Sequence, residues 1–156
     1  MNIRKAKLKD VPHIIKFAFD LHKQHEMYDP YYELVEASEL IIKNYYRKLI
    51  LNPNCCFLVV EIKNKILGYA YGTKGERAPY YKELNFGYFN EIFISNDLRN
   101  KGLATMLINE VFLWFKHKNL KYSEIEVDSR NKIANEVWGG QGYVNFIKKK
   151  YKIIEL

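Results

Sequence analysis

A short stretch in the middle of the chain has the residue types that an anion-binding site needs. The strand-like run Glu91–Ile94 ends at a polar break, and Arg99, Lys101, Gly102 and Ala104 follow just before a helical apolar pattern. The first turn of a helix has four amide N–H groups without internal partners, and with the helix dipole and nearby cations they attract anions. Glycine and alanine add almost no side-chain bulk, so an anion can reach the backbone. An ordinary strand-to-helix turn has the same short pattern, so this motif alone leaves both interpretations open.

The elements that must position this stretch follow from apolar periodicity and turn residues. Strands are predicted at residues 2–8, 56–62, 66–72, 86–94, 122–128, 143–147 and 151–156. Helices are predicted at residues 10–25, 38–51, 103–116 and 132–138. The central strands form antiparallel hairpins and the later ones are joined through helices. This order predicts a single α/β domain over residues 1–156, built around one mixed sheet.

The composition is that of a globular protein with an excess of positive charge. Hydrophobic residues make up 48% of the 156 residues, and the formal net charge is +7. This charge suits an anionic partner such as nucleic acid, a membrane surface or a phosphorylated cofactor. The lysines are spread over several elements and no recognised nucleic-acid motif occurs, which argues against a nucleic-acid-binding domain.

Cysteine use and hydropathy predict a cytoplasmic protein without a metal site. No apolar run is long enough to span a bilayer, and the first residues lack the apolar core of a secretory signal. Cys55 and Cys56 are adjacent in a strand-like stretch, so they point to opposite faces and are poor disulfide partners. Two cysteines and four scattered histidines give no zinc-binding spacing.

Two stretches together resemble the GNAT superfamily of acyl-CoA-dependent N-acyltransferases, and the resemblance extends over nearly the whole chain. The first is the family's cofactor signature, here Glu91–Ile94 followed by Arg99–Ala104. The second lies about thirty residues further on. Its matching positions are Ile125, Val127, Asn131, Ala134, Val137, Trp138, Gly142 and Tyr143. The resemblance implies a GNAT-like α/β (α+β) fold, with a mixed, mostly antiparallel sheet of about seven strands and about four helices.

The resemblance also implies acetyl-CoA as the cosubstrate and assigns residues to it. Backbone groups of Ile92, Phe93 and Ile94 would pair with the pantetheine arm as an added strand. Asn131 and Trp138 would lie near the same arm, although Asn131 is equally suited to cap the last helix. The pyrophosphate would lie against a loop formed by Arg99, Asn100, Lys101, Gly102, Leu103, Ala104 and Thr105.

Transfer of an acyl group to an amine needs a proton acceptor, N–H donors for the carbonyl oxygen and a leaving thiolate. Glu91 and Glu126 are the two candidate bases, and each also suits a solvated strand position. The amide of Ile94 or of its neighbour is the candidate donor. Trp138 stands where many family members have a tyrosine, and an indole N–H cannot release a proton near neutral pH. Water or another tyrosine, such as Tyr88, remains as the group that could protonate the leaving thiolate.

The acceptor amine is less defined. The acidic and aromatic segment 26–37 is a candidate wall of its pocket, and a solvated connector is the alternative. The residues assigned to the substrate are Tyr28, Asp29, Tyr31 and Tyr88. The function predicted is transfer of an acetyl group to a primary amine of a small molecule, protein or peptide. The alternative is an acyl-CoA-binding sensor or scaffold without turnover, and a homodimer is an expectation by analogy.

Overall fold

The computed structural model describes residues 1–154 and contains one five-stranded sheet with the order β1-β2-β3-β4-β5. The strands are β1 (Asn2–Lys5), β2 (Cys55–Ile62), β3 (Lys65–Glu76), β4 (Asn85–Ile94) and β5 (Ser123–Glu124). The helices are α1 (Val11–Glu26), α2 (Ser38–Leu51), α3 (Leu103–His117) and α4 (Lys132–Gly140). Strands β1 to β4 pair antiparallel and β5 pairs parallel to β4. The mixed, mostly antiparallel α/β fold with four helices is confirmed.

Chain contacts divide the molecule into two compact units, Met1–Ile125 and Glu126–Leu156. The first contains the sheet with α1 to α3, and the second contains α4. The single-domain organisation over residues 1–156 stays a prediction.

One hydrophobic core cluster of the first unit lies between one face of the sheet and helices α1 and α2. Alternate residues of a strand face opposite sides of a sheet, so Tyr69 and Tyr71 of β3 face this core while Gly72 faces α3. A Cβ atom on Gly72 would lie 2.7 Å from the ring of Phe115, so glycine allows α3 to approach the sheet. The remaining core members are Ile14, Ala18, Tyr46, Leu49, Phe57, Val59, Ile66 and Phe93.

A β-bulge interrupts the pairing of β3 with β4. Tyr71 pairs with Glu91 and Gly72 pairs with Phe89, so Asn90 is the extra residue. The hydroxyl of Thr73 donates to Oδ1 of Asn90 over 2.9 Å. A bulge bends its strand and changes the direction of the adjacent side chains, which makes this position suitable for a functional residue.

The strand count differs from the prediction at the C-terminal end. The hairpin predicted at residues 143–147 and 151–156 is absent, since residues 142–154 contain no strand, and residues 155 and 156 lie outside the described part. The fifth strand is also shorter than predicted, with only Ser123 and Glu124. Alternating apolar residues form a strand only where another strand offers hydrogen-bonding partners, and here Val144 and Phe146 are 83% and 75% exposed.

Both cysteines are free and lie on β2. Burial raises the pKa of the Cys55 thiol to about 12 and that of the Cys56 thiol to about 11, so neither is a reactive thiolate at neutral pH. Among residues 1–154, no helix has the length and apolar character needed to cross a membrane.

Candidate active site

Glu91 lies at the bulge of β4, where three tyrosine hydroxyls donate to its carboxylate. Tyr46 of α2 donates to Oε2 over 2.6 Å and Tyr69 of β3 donates to the same oxygen over 2.9 Å. Tyr71, the residue paired with Glu91 across the sheet, donates to Oε1 over 3.1 Å. The register of β3 and β4 therefore brings the carboxylate and two of its partners together.

The three tyrosines act as fixed donors. Burial, with the neighbouring Glu91 charge, raises the pKa of Tyr69 and of Tyr71 above the ordinary value. Burial also raises the pKa of Tyr46, with further contributions from Tyr69 and Glu91. All three hydroxyls therefore keep their protons at physiological pH. A carboxylate has about four lone-pair sites, and three hydroxyls leave capacity on Oε1, which lies 3.9 Å from Nε2 of His22.

A cavity of about 390 Å³ opens in front of Glu91. Its volume lies in the range of small-molecule sites, and a carboxylate with an imidazole at its end is the arrangement expected for a cationic or hydrogen-bonding group. The side chain of Glu91 is 15% exposed, so it is accessible from this cavity without being fully solvated. The lining residues are His22, Leu34, Ile41, Ile42, Tyr45, Tyr71 and Glu91.

The edge of β4 is paired at its beginning and open after it. Gly87 pairs with Ser123 and Tyr88 with Glu124. Within the described chain, no strand continues this ladder along Phe89–Ile94. The paired end is held by Arg77, which forms an ion pair with Glu124 and lies 5.3 Å from the centre of the Phe86 ring. The open edge therefore begins directly beside Glu91.

The loop between β4 and α3 contains backbone amides that have no backbone partner in the described chain. Asn100 and Gly102 adopt positive φ values of 60° and 75°, and α3 begins at Leu103. Among residues 1–154, no backbone amide from Asn100 to Thr105 donates a hydrogen bond to a backbone carbonyl. The first amide of this region that does so is that of Met106, which donates to the carbonyl of Gly102. A Cβ on Gly102 would meet no atom within 4 Å, so the approach to these amides is open.

Two basic side chains of this loop are tied to its own backbone. Nε of Arg99 donates to the carbonyl of Ile94 over 3.2 Å, which holds the loop against the end of β4. Nζ of Lys101 donates to the carbonyl of Asp97 over 2.9 Å. Both belong to the same loop as the amides without backbone partners, so they add positive charge to it.

The second unit contains the other residues assigned to the cofactor and to catalysis. The side chain of Glu126 is 69% exposed and lies 3.6 Å from Nζ of Lys149. Oδ1 of Asn131 accepts from the amide of Ala134 over 3.0 Å, so its predicted role as a helix cap is confirmed. Trp138 is buried, and its ring packs edge-on against Tyr143 with centroids 5.4 Å apart.

The residues assigned to the acceptor amine do not line the cavity beside Glu91. Asp29 accepts from the amide of Tyr31 and thereby begins a short 3-10 helix, while Tyr31 itself is 73% exposed. Tyr28 and Tyr88 are half-buried. Their contact with an acceptor stays a prediction.

Several residues around Glu91 were not predicted from the sequence. The alternation of Tyr69 and Tyr71 was a usable signal, since both side chains lie on one face of the strand. They therefore lie beside the side chains that the neighbouring strand places on the same face. Leu34 lies in the segment 26–37 that the sequence indicated as a candidate wall, whereas His22 had no local signal, because only the packing of α1 brings it near β4. The other unpredicted members are Ile41, Ile42, Tyr45 and Tyr46.

Comparison with known proteins gives one family match and many similar folds. The model of the acetyltransferase (GNAT) family matches residues 18–143. An aminoglycoside 6'-N-acetyltransferase from Acinetobacter haemolyticus superposes with a TM-score of 0.78 at 16% identity, covering 100% of this chain and 99% of that one. A single-site mutant of the BH1408 protein from Bacillus halodurans superposes with a TM-score of 0.85 at 16% identity, covering 100% of both chains. Aminoglycoside N-acetyltransferase AAC(6')-Iy in complex with CoA superposes with a TM-score of 0.75 at 13% identity, covering 99% of this chain and 100% of that one. Curated protein sequences give no match.

Proposed function

Because the chain belongs to the acetyltransferase (GNAT) family, we propose that it transfers an acetyl group from acetyl-CoA to a primary amine of a small molecule, protein or peptide. The family uses acetyl-CoA as its acyl donor, which accounts for the donor half of the reaction. The observation that carries the acceptor half is Glu91, whose carboxylate ends a cavity of about 390 Å³ beside an open strand edge.

The residues of the loop before α3 fit the phosphate end of coenzyme A. Amides from Asn100 to Thr105 point to no backbone partner among those described, and Gly102 leaves their approach open. Anions bind at such helix N-termini because amides and dipole act together. Arg99 and Lys101 add positive charge nearby. When bound, acetyl-CoA supplies the acetyl group as an activated thioester.

The open edge of β4 fits an extended ligand that contains amides. Backbone groups of Ile92, Phe93 and Ile94 would pair with the pantetheine arm in the manner of an added strand. This pairing would hold the acyl group near Glu91 on the same strand. The side chains of these three residues need only pack, and Phe93 and Ile94 are buried.

Glu91 is proposed as the group that accepts the proton lost by the amine. Its carboxylate is held by Tyr46, Tyr69 and Tyr71 and still reaches the cavity. Glu126, the other candidate, is largely exposed and pairs with Lys149, which favours Glu91. No proton transfer is assigned to Trp138, since an indole N–H does not ionise near neutral pH.

The test is to mix the purified protein with acetyl-CoA and a panel of primary amines. Free thiol should appear together with the acetylated amine identified by mass spectrometry. Stabilisation of the protein by coenzyme A with no thiol release from any amine would contradict the proposal. That result would favour the alternative, an acyl-CoA-binding module without turnover, for which Trp138 is the supporting observation.

A further inference from the structure

The wall of the cavity beside Glu91 is apolar, and this property restricts the acceptor. Leu34, Ile41, Ile42 and Tyr45 form the side opposite the sheet. Ile41 and Tyr45 are 55% and 50% exposed although both are hydrophobic. Apolar side chains at the rim of a cavity offer contact area to an apolar ligand.

Of the described residues that line the cavity, only Glu91 has a carboxylate, while Glu26 and Asp29 accept hydrogen bonds elsewhere. Glu26 accepts from Nζ of Lys23 and from the amide of Leu34, each within 2.8 Å. These two hydrogen bonds hold the pKa of Glu26 below its ordinary value, so it remains ionised in this contact. Asp29 accepts from the amide of Tyr31. Glu91 is therefore the one counter-charge that the described cavity offers to an ammonium group.

From this arrangement we infer that the acceptor is a primary monoamine with an apolar body. The amine would lie at Glu91 and His22, and the apolar body would lie against Ile41, Ile42 and Tyr45. A second ammonium on the acceptor would find no second carboxylate along this wall, and removing it from water against apolar side chains is costly. This inference rests on the proposed transferase function and names its substrate class. Polyamines, which carry a second ammonium, are therefore disfavoured as acceptors.

The first experiment compares amines that differ in one property. Pentylamine and 1,5-diaminopentane have the same chain length and differ by one ammonium, and 2-phenylethylamine adds an aromatic body. With the purified full chain and acetyl-CoA, kcat/KM for thiol release should be at least about tenfold higher for pentylamine than for the diamine. The value for 2-phenylethylamine should be equal to or above that of pentylamine.

The second experiment changes the wall with a matched control. Ile41→Asp places a carboxylate on the cavity, and Leu40→Asp places one on the adjacent position of α2, which does not line it. Both positions are more than half exposed, at 55% and 61%, so both variants should fold. Ile41→Asp should lower kcat/KM for 2-phenylethylamine about tenfold and raise it for the diamine. Leu40→Asp should leave both values near those of the unchanged protein.

A binding measurement separates failure of the substrate class from failure of the transferase proposal. The midpoint of thermal unfolding is measured with coenzyme A and each amine, without an acetyl group. The midpoint should rise with 2-phenylethylamine, and Ile41→Asp should abolish the rise. If no amine releases thiol but this rise occurs, the transferase proposal is overturned and the binding class stands. A preference of the unchanged protein for the diamine, equal effects of both variants, or no rise with any monoamine would overturn the inference.

Discussion

Replacing Glu91 with glutamine removes the negative charge of the carboxylate while keeping its size. The glutamine carbonyl can accept from Tyr46 and Tyr69, which now share Oε2 at 2.6 and 2.9 Å. The amide nitrogen then occupies the Oε1 position near Tyr71 and His22. An amide can neither take a proton from an ammonium group nor serve as its counter-charge, so the variant removes both functions that are proposed for Glu91.

The substitution should change the stability of the fold less than it changes the activity. Hydrogen bonds to charged acceptors contribute about 1.5–3 kcal/mol and neutral ones about 0.5–1.5 kcal/mol, so the two retained bonds lose about 2–3 kcal/mol together. Relief of the cost of burying a charge, on a side chain that is 15% exposed, offsets part of this loss. The fold should therefore remain populated. A positioned general base contributes about 10²–10⁴-fold, so kcat/KM should fall by that factor, or about 3–5 kcal/mol of activation free energy.

The assay is thiol release at pH 8 over a range of amine concentrations that gives kcat/KM, and circular dichroism verifies the fold. Glu126→Gln is the matched control and should change kcat/KM less than about threefold. An acceptor that is already neutral at this pH, such as 2,2,2-trifluoroethylamine, should show a smaller defect in Glu91→Gln, because it has no ammonium proton to lose before attack. The reasoning is refuted if Glu91→Gln stays within tenfold of the unchanged protein, or if both amines show the same defect.

Three further results are expected. Tyr46→Phe removes the donor at 2.6 Å from the carboxylate and should lower the free energy of unfolding by about 1.5–3 kcal/mol in urea denaturation, and an unchanged value would contradict the assigned hydrogen bond. Gly102→Ala meets no atom but must keep φ near 75°, so it should lower the free energy of unfolding by about 1–2 kcal/mol and reduce the rise in unfolding midpoint with coenzyme A. Burial opposes ionisation of Asp10, but the hydrogen bonds from Arg4 hold its pKa below the ordinary value of 3.8. Its carboxylate therefore stabilises the fold above about pH 4, and the advantage over Asp10→Asn should shrink as pH falls below this value, whereas a constant difference in urea denaturation would refute the assignment.

Local chemistry explains what could be predicted from the sequence. Lys63 and Asn64 adopt φ values of 48° and 62° in the turn between β2 and β3, as expected for a short hairpin turn. Helix α3 begins at Leu103, directly after Gly102, as the sequence predicts. Asn131 accepts from Ala134 at the start of α4. Each of these features is decided by residues only a few positions apart.

Contacts between distant segments explain what could not. The partners of Glu91 come from α1, α2 and β3, so no local window of sequence contains the group. The shared hydroxyl network needs the register of β3 against β4, including the bulge at Asn90, which no residue pattern indicates. At the C-terminal end, the sequence indicated a strand that does not form. Residues 143–147 have the apolar alternation of a strand, but they pair with no other strand of the described chain. Strand formation depends on a partner that alternation does not specify.

The open edge of β4 also bears on solubility. A strand edge without a neighbour can template pairing with another chain, and it is a common starting point for aggregation. In this protein the bulge at Asn90 twists that edge, which makes it a poorer template for a straight incoming strand. If coenzyme A lies along Ile92–Ile94 as proposed, the acyl donor also covers the unpaired edge of β4 and blocks its pairing with another chain. The protein should then be least prone to self-association where its donor is abundant.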